Sequence, residues 1–238
     1  MGRIFEKRKE KMFARWSKNA KAFTKVGKEI AIAIKLGGAD PNSNPRLRMA
    51  IQSSKDLNMP KDRVEAAIKR ATTKEQADLN EVTYEGYAPH GVAVVVETAT
   101  DNPTRTVANV RSIFSRHSGS MGTTGSLDYL FQKLGVFKIS KPPGDVDEFE
   151  LSLIDHGLEE LEESDDFLML YSKLENFGQL QKALETSGVE IKSAAPHRLP
   201  NTLTKVTAEQ AQEVQELIDG LEEDDDVQNV YHSMQTDD

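Results

Sequence analysis

Helix boundaries within residues 37–71 constrain the fold of this chain more than any other feature of its sequence. The Gly-Gly pair at 37–38 ends a preceding helix, because glycine adopts the left-handed conformation of a helix C-terminus at no steric cost. Ser43 or Asn44 is positioned to cap a second helix, since a proline follows and fits the first helical turn. The Asn-Met-Pro segment at 58–60 then ends that helix and begins a third. The stretch therefore predicts helices in close succession.

Apolar residues recur at intervals of three and four before, between and after these boundaries, as they do on the buried face of a helix. A first stripe begins at Phe13 and continues through Trp16, Phe23 and Ile34. The residues before this stripe are too polar to bury much surface and are expected to form a basic arm. The sequence thus predicts an N-terminal all-helical domain, with this arm, over residues 1–76.

Charge divides the chain unevenly. Residues 1–74 hold 19 Lys and Arg against 7 Asp and Glu, a net charge of +12, and the remainder holds 11 against 32, a net charge of −21. The overall charge of −9 conceals this division. The division favours a polyanionic partner for the N-terminal part only. The alternative is that the basic and acidic parts attract each other within the protein.

After the polar segment at 72–79 the pattern becomes that of strands and helices in alternation. Strand, helix, strand, strand, helix and strand follow one another in residues 134–196, which is the order of a ferredoxin-like domain. Residues 77–133 begin a second α+β ferredoxin-like domain that residues 197–238 complete, so the domain at 134–196 is inserted into a discontinuous middle domain. The predicted fold class is α+β with three domains, of which the first is all helical.

The helical region has the outline of a helix-turn-helix, because a short turn joins its second and third helices. Two modes of nucleic-acid binding remain open: reading of bases in a groove, and sequence-tolerant binding of phosphates. The candidate nucleic-acid-binding residues are Arg3, Lys7, Arg8, Lys9, Lys11, Arg15, Lys18, Lys21, Lys25, Lys28, Arg46, Arg48, Lys55, Lys61, Arg63, Lys69 and Arg70. In the alternative interpretation these side chains form only the solvated face of a helical bundle.

A glycine-rich loop at 119–126 invites comparison with phosphate-binding loops. The Gly-Lys-Ser/Thr signature of those loops is missing, so a flexible hinge or contact loop is favoured, followed by a strand at 127–131. The backbone N–H and hydroxyl groups of such a loop suit an anionic partner. The possible second anion or contact site comprises Arg105, Arg111, Arg116, Gly119, Gly122, Gly125 and Ser126.

No arrangement of residues indicates an enzyme. The chain has no cysteine, and its five histidines are scattered without metal-ligand spacing or a Ser-His-Asp set. The segment at 40–44 has the spacing of a calcium loop but lacks its glycine and its closing glutamate. The acidic runs at 159–166 and 222–226 are interpreted as solvated turns whose carboxylates have no basic or metal partner. The prediction is therefore no catalytic residue, no metal, no cofactor and no small-molecule substrate.

The sequence also bears on location. No run of about 18 apolar residues exists that could span a membrane. No apolar segment follows the basic N-terminus as it does in a secretory signal. The lack of cysteine suits a reducing compartment. We therefore expect a cytoplasmic protein without a membrane partner.

Several short motifs occur in order over nearly the whole chain. They lie at residues 36–48, 58–62, 67–70, 84–87, 109–111, 125–126 and 225–231. Together they resemble the YebC/PmpR family, although the usual Gly-His-Ser-Lys-Trp opening is replaced here by another basic segment at 1–9 and by Arg15 and Trp16. The resemblance implies three domains, the third inserted in the second, and a cytoplasmic, non-enzymatic transcriptional regulator. Related members, including a mitochondrial translational activator, act on translation and the ribosome.

These observations predict a nucleic-acid-binding regulator of gene expression. As a DNA-binding transcriptional regulator of the YebC type, it would contact duplex DNA through the basic helical domain. One alternative is a translation factor that binds ribosomal RNA, which lysine-rich helices serve equally well. The other is a protein-interaction adaptor whose acidic domains bind a basic partner protein.

Overall fold

The computed structural model describes residues 21–73 and 78–236. Its helices are α1 (21–37), α2 (Pro45–Asp56), α3 (Lys61–Thr72), α4 (Pro103–Arg116), α5 (Val146–Ile154), α6 (Phe177–Ser187) and α7 (Ala208–Glu222). Its strands are β1 (Asn80–Tyr87), β2 (Ala93–Thr100), β3 (Ser120–Met121), β4 (Phe131–Ile139), β5 (Leu158–Glu163), β6 (Leu168–Lys173), β7 (Ile191–Pro200), β8 (Thr204–Val206), β9 (Val227–His232) and β10 (Met234–Thr236). The helical region comes first and the α+β region follows it, which confirms the predicted fold class.

The described residues form two compact units. The first contains the described residues up to Tyr84 together with Val96–Met121 and Gln215–Val230, and the second contains Glu85–Val95, Gly122–Val214 and the described residues from Tyr231 onward. The more detailed division into three domains, with residues 134–196 inserted between 77–133 and 197–238, stays a prediction.

α1 ends, and α2 and α3 begin and end, close to the predicted boundaries. α1 ends at residue 37, and Gly38 has the positive φ of 82° that glycine adopts without a steric penalty. Of the two candidate caps for α2, Asn44 is the one used: its side chain accepts a hydrogen bond of 3.1 Å from the N–H of Leu47. The amide of Asn44 also donates to the carbonyls of Ala33 and Gly38, both at 2.7 Å. One buried side chain therefore joins the end of α1 to the start of α2.

The apolar stripes of α1, α2 and α3 pack against one another. Their buried residues include Ile30 and Ala33 of α1, Leu47 and Ala50 of α2, and Ala67 of α3. α3 leaves its opposite face to water, whereas α1 is buried on more than one side, because its Ile32 packs with Leu79 and Ala99 in a separate cluster. The predicted helical periodicity is confirmed for the described part of this region.

The strands β4, β5, β6 and β7 form a sheet in the order β5-β6-β4-β7. Neighbouring strands are antiparallel, and Phe137 of β4 lies opposite Leu170 of β6 and Ala194 of β7. With α5 and α6, the chain order is strand, helix, strand, strand, helix, strand, as predicted for a ferredoxin-like domain. The ring of Phe137 stacks on that of Phe177 in α6, with centroids 4.6 Å apart.

A second sheet has the order β3-β1-β2-β9, and β8 pairs in parallel with β10. α4 begins at Pro103, because the side chain of Asn102 accepts the N–H of Arg105 and the proline fits the first turn. The predicted strand at 127–131 is wrong: residues Asp128–Leu130 form a 3₁₀ turn, and the strand begins only at Phe131. The turn is closed by a hydrogen bond of 2.9 Å from the Leu130 N–H to the Leu127 carbonyl.

We expect Asn44→Ala to lower the free energy of unfolding by about 2 kcal/mol, because it removes a helix cap and leaves two carbonyls without their donor. Ser43→Ala is the matched control: Ser43 is exposed and its hydroxyl bonds only to Asp40, so a change below about 0.5 kcal/mol is expected. Urea unfolding followed by circular dichroism measures both. Equal losses in the two variants would contradict this role for Asn44.

Candidate nucleic-acid interface

Five exposed cationic side chains lie on α2 and α3. They are Lys55, Lys61, Arg63, Lys69 and Arg70, and we call them the basic surface. Within residues 21–73 and 78–236, no acidic side chain forms an ion pair with any of them. Two of the five occupy the last turn of α3, where positive charge stabilises the helix dipole. Their charges remain available to an anion outside the protein.

Three lysines of α1, which were also candidates for nucleic-acid binding, donate to oxygens of the protein itself. Lys21 Nζ donates to the carbonyl of Glu223 at 3.1 Å, and Lys25 Nζ donates to the carbonyl of Gln228 at 3.5 Å. Burial lowers the pKa of the Lys25 amine. The third, Lys28, forms the strongest of these contacts.

The ammonium of Lys28 forms an ion pair with a buried carboxylate. Its Nζ lies 2.7 Å from Asp226 Oδ1, and the two side chains are only 14% and 8% exposed. The same ammonium donates to the carbonyls of Ala99 at 2.9 Å and Asp225 at 2.8 Å. All three protons of the ammonium therefore have acceptors, and Lys28 holds α1 in place instead of facing solvent.

The second oxygen of Asp226 collects three further groups. Arg105 Nη2 lies 2.7 Å from Oδ2, and the hydroxyls of Thr106 and Thr100 lie at 2.8 and 3.2 Å. We call Asp226 and these partners, with Lys28, the Asp226 network. Burial by itself would raise the pKa of Asp226, but hydrogen bonds from Lys28, Arg105 and Thr106 outweigh it and hold the pKa well below its usual range.

The interpretation of the acidic runs as solvated acids without a basic partner is wrong for Glu159 and Glu163, which pair with Lys173 and Lys141. In the run at 222–226 it is wrong for Asp226. Glu222, Glu223 and Asp225 are exposed as expected, but the chain turns inward at the next residue, just before β9. The N–H of Asp226 bonds to the carboxylate of Asp224 at 2.9 Å, which fixes this turn. No local sequence signal distinguishes the buried aspartate from its neighbours in the run.

Two arginines of α2 are also engaged within the protein. Arg46 Nε lies 2.7 Å from Glu29 Oε1, and its Nη2 lies 2.6 Å from Glu81 Oε1. Burial opposes the charge of Arg46, but hydrogen bonds to Glu81 and Glu29 raise its pKa overall. Arg48 Nη1 donates to the carbonyl of Pro41 at 2.9 Å. These side chains stabilise the helical region, so less of their positive charge is available to a nucleic acid than the sequence indicated.

The remaining candidates, in the predicted basic arm and in the predicted first helix before residue 21, lie outside the described residues. They are Arg3, Lys7, Arg8, Lys9, Lys11, Arg15 and Lys18. Only the candidates from Lys21 onward can therefore be described as exposed or as paired within the protein.

The three arginines of the predicted second anion site have different surroundings. Arg105 belongs to the Asp226 network and also pairs with Asp101 at 2.8 Å. Arg111 and Arg116 are exposed on α4. A common role for all three in binding an anion is not supported, because the charge of Arg105 is already balanced by two carboxylates.

The glycine-rich loop is organised by Glu85, which lies in the motif at 84–87 but was not among the candidate site residues. This buried carboxylate accepts hydrogen bonds from the N–H groups of Gly125 at 3.0 Å and Leu127 at 2.6 Å, and lies 3.4 Å from the Ser126 hydroxyl. The carbonyl of Glu85 accepts the N–H of Gly122 at 2.8 Å. The N–H of Gly125 is therefore not available to an external anion, since the protein supplies a carboxylate for it.

Two other kinds of site are absent from residues 21–73 and 78–236. No group of three or more His, Asp or Glu side chains in those residues is arranged to hold a metal ion. No helix of the described chain is long and apolar enough to cross a membrane. Three of the histidines contact protein groups: His90 Nε2 lies 2.9 Å from Glu213, His197 packs edge-on against Tyr231, and His232 Nδ1 accepts the N–H of Met234 at 3.3 Å.

The fold defines an α+β protein with a helical region that exposes a basic surface, and comparison with known proteins then gives its family. Residues 3–74 match the TACO1/YebC protein N-terminal domain, and residues 79–234 match the TACO1/YebC second and third domain. The chain belongs to the TACO1/YebC family. The resemblance noted in the sequence motifs is thereby confirmed.

Relatives match along almost their whole length. A probable transcriptional regulatory protein of Porphyromonas gingivalis is 53% identical over 235 residues, which cover 98% of this chain and 97% of that protein. Another from Anaeromyxobacter dehalogenans is 54% identical over 239 residues, covering 98% and 100%. The crystal structure of a conserved hypothetical protein from Aquifex aeolicus matches with a TM-score of 0.80 at 37% identity, covering 92% of this chain and 91% of that one.

We expect Asp226→Asn to lower the free energy of unfolding by about 3 kcal/mol near pH 7, because it leaves the buried ammonium of Lys28 without its counter-charge. The matched control is Asp225→Asn, which makes the same chemical change at an exposed side chain one residue earlier. Denaturant unfolding measures both variants. A loss as large for Asp225→Asn would show that the network is not the cause.

The same pair of variants tests the titration of Asp226. Folding lowers the pKa of this carboxyl, so its contribution to stability is complete above the unfolded-state pKa of about 3.9 and is lost as the pH falls through that value towards the folded-state pKa. The stability difference between wild type and Asp226→Asn should stay constant down to about pH 5 and shrink below about pH 4. A difference that is unchanged at acid pH would contradict the assignment.

Proposed function

We propose that this protein is a nucleic-acid-binding regulator of gene expression that acts by binding and not by catalysis. The observation that carries the proposal is the basic surface of α2 and α3, whose five cations are exposed and have no ion pair with a described acidic residue. Cationic side chains that the protein does not neutralise favour a polyanion, because phosphate contacts release condensed counterions.

Sequence-tolerant binding of phosphates is the mode we favour over base reading. α3 would be the recognition helix of a helix-turn-helix, and such helices place their N-terminal residues against base edges. In the first turn of α3 the exposed cations Lys61 and Arg63 are instead offset by two exposed carboxylates, those of Asp62 and the following Glu65. These carboxylates repel a phosphate-lined groove, whereas Lys69 and Arg70 at the other end of the helix attract it.

Transcriptional regulation is the biological role we propose, with duplex DNA in the cytoplasm as the ligand. Support comes from the P. gingivalis and A. dehalogenans relatives, which are named probable transcriptional regulatory proteins and match over nearly the whole chain. Structured RNA, as on a ribosome, is the second candidate ligand. It is favoured by a cleft of about 350 Å³ between α1 and α3, whose lining includes the ring of Phe23 beside Arg63 and Arg70.

The proposal predicts a specific salt dependence. Replacing Lys55, Lys61 and Lys69 with Ala should weaken binding to any duplex sequence and reduce the magnitude of the slope of log K against log salt by up to about 2.7, or about 0.9 for each phosphate that is no longer neutralised. The control replaces Lys133, Lys182 and Lys205, three exposed lysines of the second unit, and changes the net charge equally. Fluorescence anisotropy with a labelled DNA duplex and an RNA hairpin measures both.

The outcomes separate the alternatives. An equal effect of the two triple variants would contradict binding at the basic surface, because only the overall charge would then matter. Loss of binding to one duplex sequence alone would support base reading by α3. A slope change with the hairpin but none with the duplex would replace DNA by RNA as the ligand.

A further inference from the structure

A cleft of about 350 Å³ opens between α1 and α3 in the first unit. Its walls include Phe23, Gly27 and Lys28 of α1, and Met59, Arg63 and Arg70 from the start and the exposed side of α3. We call it the α1–α3 cleft. Its volume lies at the lower end of the range for small-ligand sites, which is enough for one planar group with a charged substituent.

The lining combines an aromatic ring with positive charge. The guanidinium carbon of Arg63 lies 5.9 Å from the centroid of the half-buried Phe23 ring, at the outer limit of a cation–π contact. Arg63 and Arg70 are exposed, and no carboxylate is among the residues that line the cleft. Lys28 adds a third cation, but its charge is already balanced by Asp226. The two arginines are therefore the groups that an incoming anion would meet.

We propose that the α1–α3 cleft binds one unpaired nucleotide of a nucleic-acid strand. The base stacks on the Phe23 ring within the cleft, and Arg63 and Arg70 hold the adjacent phosphates at its mouth. This inference rests on the proposed function with structured RNA, the second candidate, as the ligand, and it deepens that form of the proposal by naming unpaired nucleotides as what the cleft recognises. Aromatic stacking with flanking cations is the general chemistry of single-strand binding, because every base presents a π-face.

Charge and shape favour this occupant over others. A base-paired nucleotide presents only its edge and backbone to a protein surface, so a duplex reaches Arg63 and Arg70 but not the ring of Phe23. A basic peptide is repelled by the arginines that line the mouth. An acidic peptide can pair with the two arginines, but its acidic side chains offer no planar ring to stack on Phe23. The experiment below therefore tests an acidic peptide as a competitor.

Gly27 provides a test that removes no charge. A Cβ added to Gly27 meets no atom within 4 Å, and the residue lies in the middle of α1, so Gly27→Leu should fill the cleft without a backbone clash. Ala66, which is exposed and also lines the cleft, gives a second filling variant, Ala66→Leu. The matched control is Gly178→Leu in α6, where an added Cβ likewise meets nothing within 4 Å. Thermal unfolding verifies that each variant folds.

The measurement is fluorescence anisotropy of the full chain with a labelled single-stranded RNA and with a blunt duplex of the same sequence. We expect Gly27→Leu and Ala66→Leu each to weaken single-strand binding about tenfold, since one stacked base is lost. Duplex binding should change less than about twofold, and Gly178→Leu should change neither. Polyglutamate should compete much less well than unlabelled RNA.

Each contrary result overturns the inference in a distinguishable way. Unchanged single-strand binding in both folded filling variants would show that the cleft is not the site. Equal weakening of single-strand and duplex binding would show that the cleft does not select unpaired nucleotides. Competition by polyglutamate as strong as by RNA would assign the cleft to an acidic peptide.

The failure of the proposed function and the failure of the cleft proposal give different results. If the wild type binds neither nucleic acid, the proposed function fails. If the lysine triple variant weakens binding and the filling variants do not, only the cleft proposal fails.

Discussion

The carboxylate of Asp226 is the interaction on which the arrangement of the first unit depends. It is nearly excluded from water, yet it remains ionised because Lys28 of α1 and Arg105 of α4 approach its two oxygens from different elements. A buried charge is tolerated only when its partners are fixed, so satisfying this carboxylate determines where α1 and α4 lie. α1 in turn forms one wall of the cleft, and the buried network therefore positions a surface site through the helix that carries Lys28.

The basic residues of the N-terminal part fall into two groups in the structure. Part of the positive charge is used internally, as Arg46 shows with its two glutamate partners and Lys28 with Asp226. The other part is exposed on α2 and α3 and has no acidic partner among the described residues. Attraction within the protein and attraction of an external polyanion are therefore not exclusive. They involve different members of one set of basic residues, and only the exposed members contribute to the proposed interface.

Glu85 shows the same principle at a smaller scale. A glycine-rich loop with free N–H groups would attract any anion, but here a buried side chain of β1 takes that place for Gly125 and Leu127. Charge-assisted hydrogen bonds to two backbone N–H groups order the loop, and these two N–H groups are then not available to bind an external phosphate. Internal carboxylates thus leave α2 and α3 as the principal exposed cationic region among the described candidates.

The sequence alone determined the elements whose causes are local. Asn44, Asn102 and the glycine at the end of α1 act within one helical turn, and the three- and four-residue spacing of apolar positions fixes which helix face is buried. The tertiary structure decided which charges are free. Asp226 lies 198 residues from Lys28 in the chain, and nothing in the acidic run marks it as the residue that turns inward. Pairing between side chains that are distant in the sequence depends on how the helices pack. Local sequence patterns do not show which of these side chains come together in space.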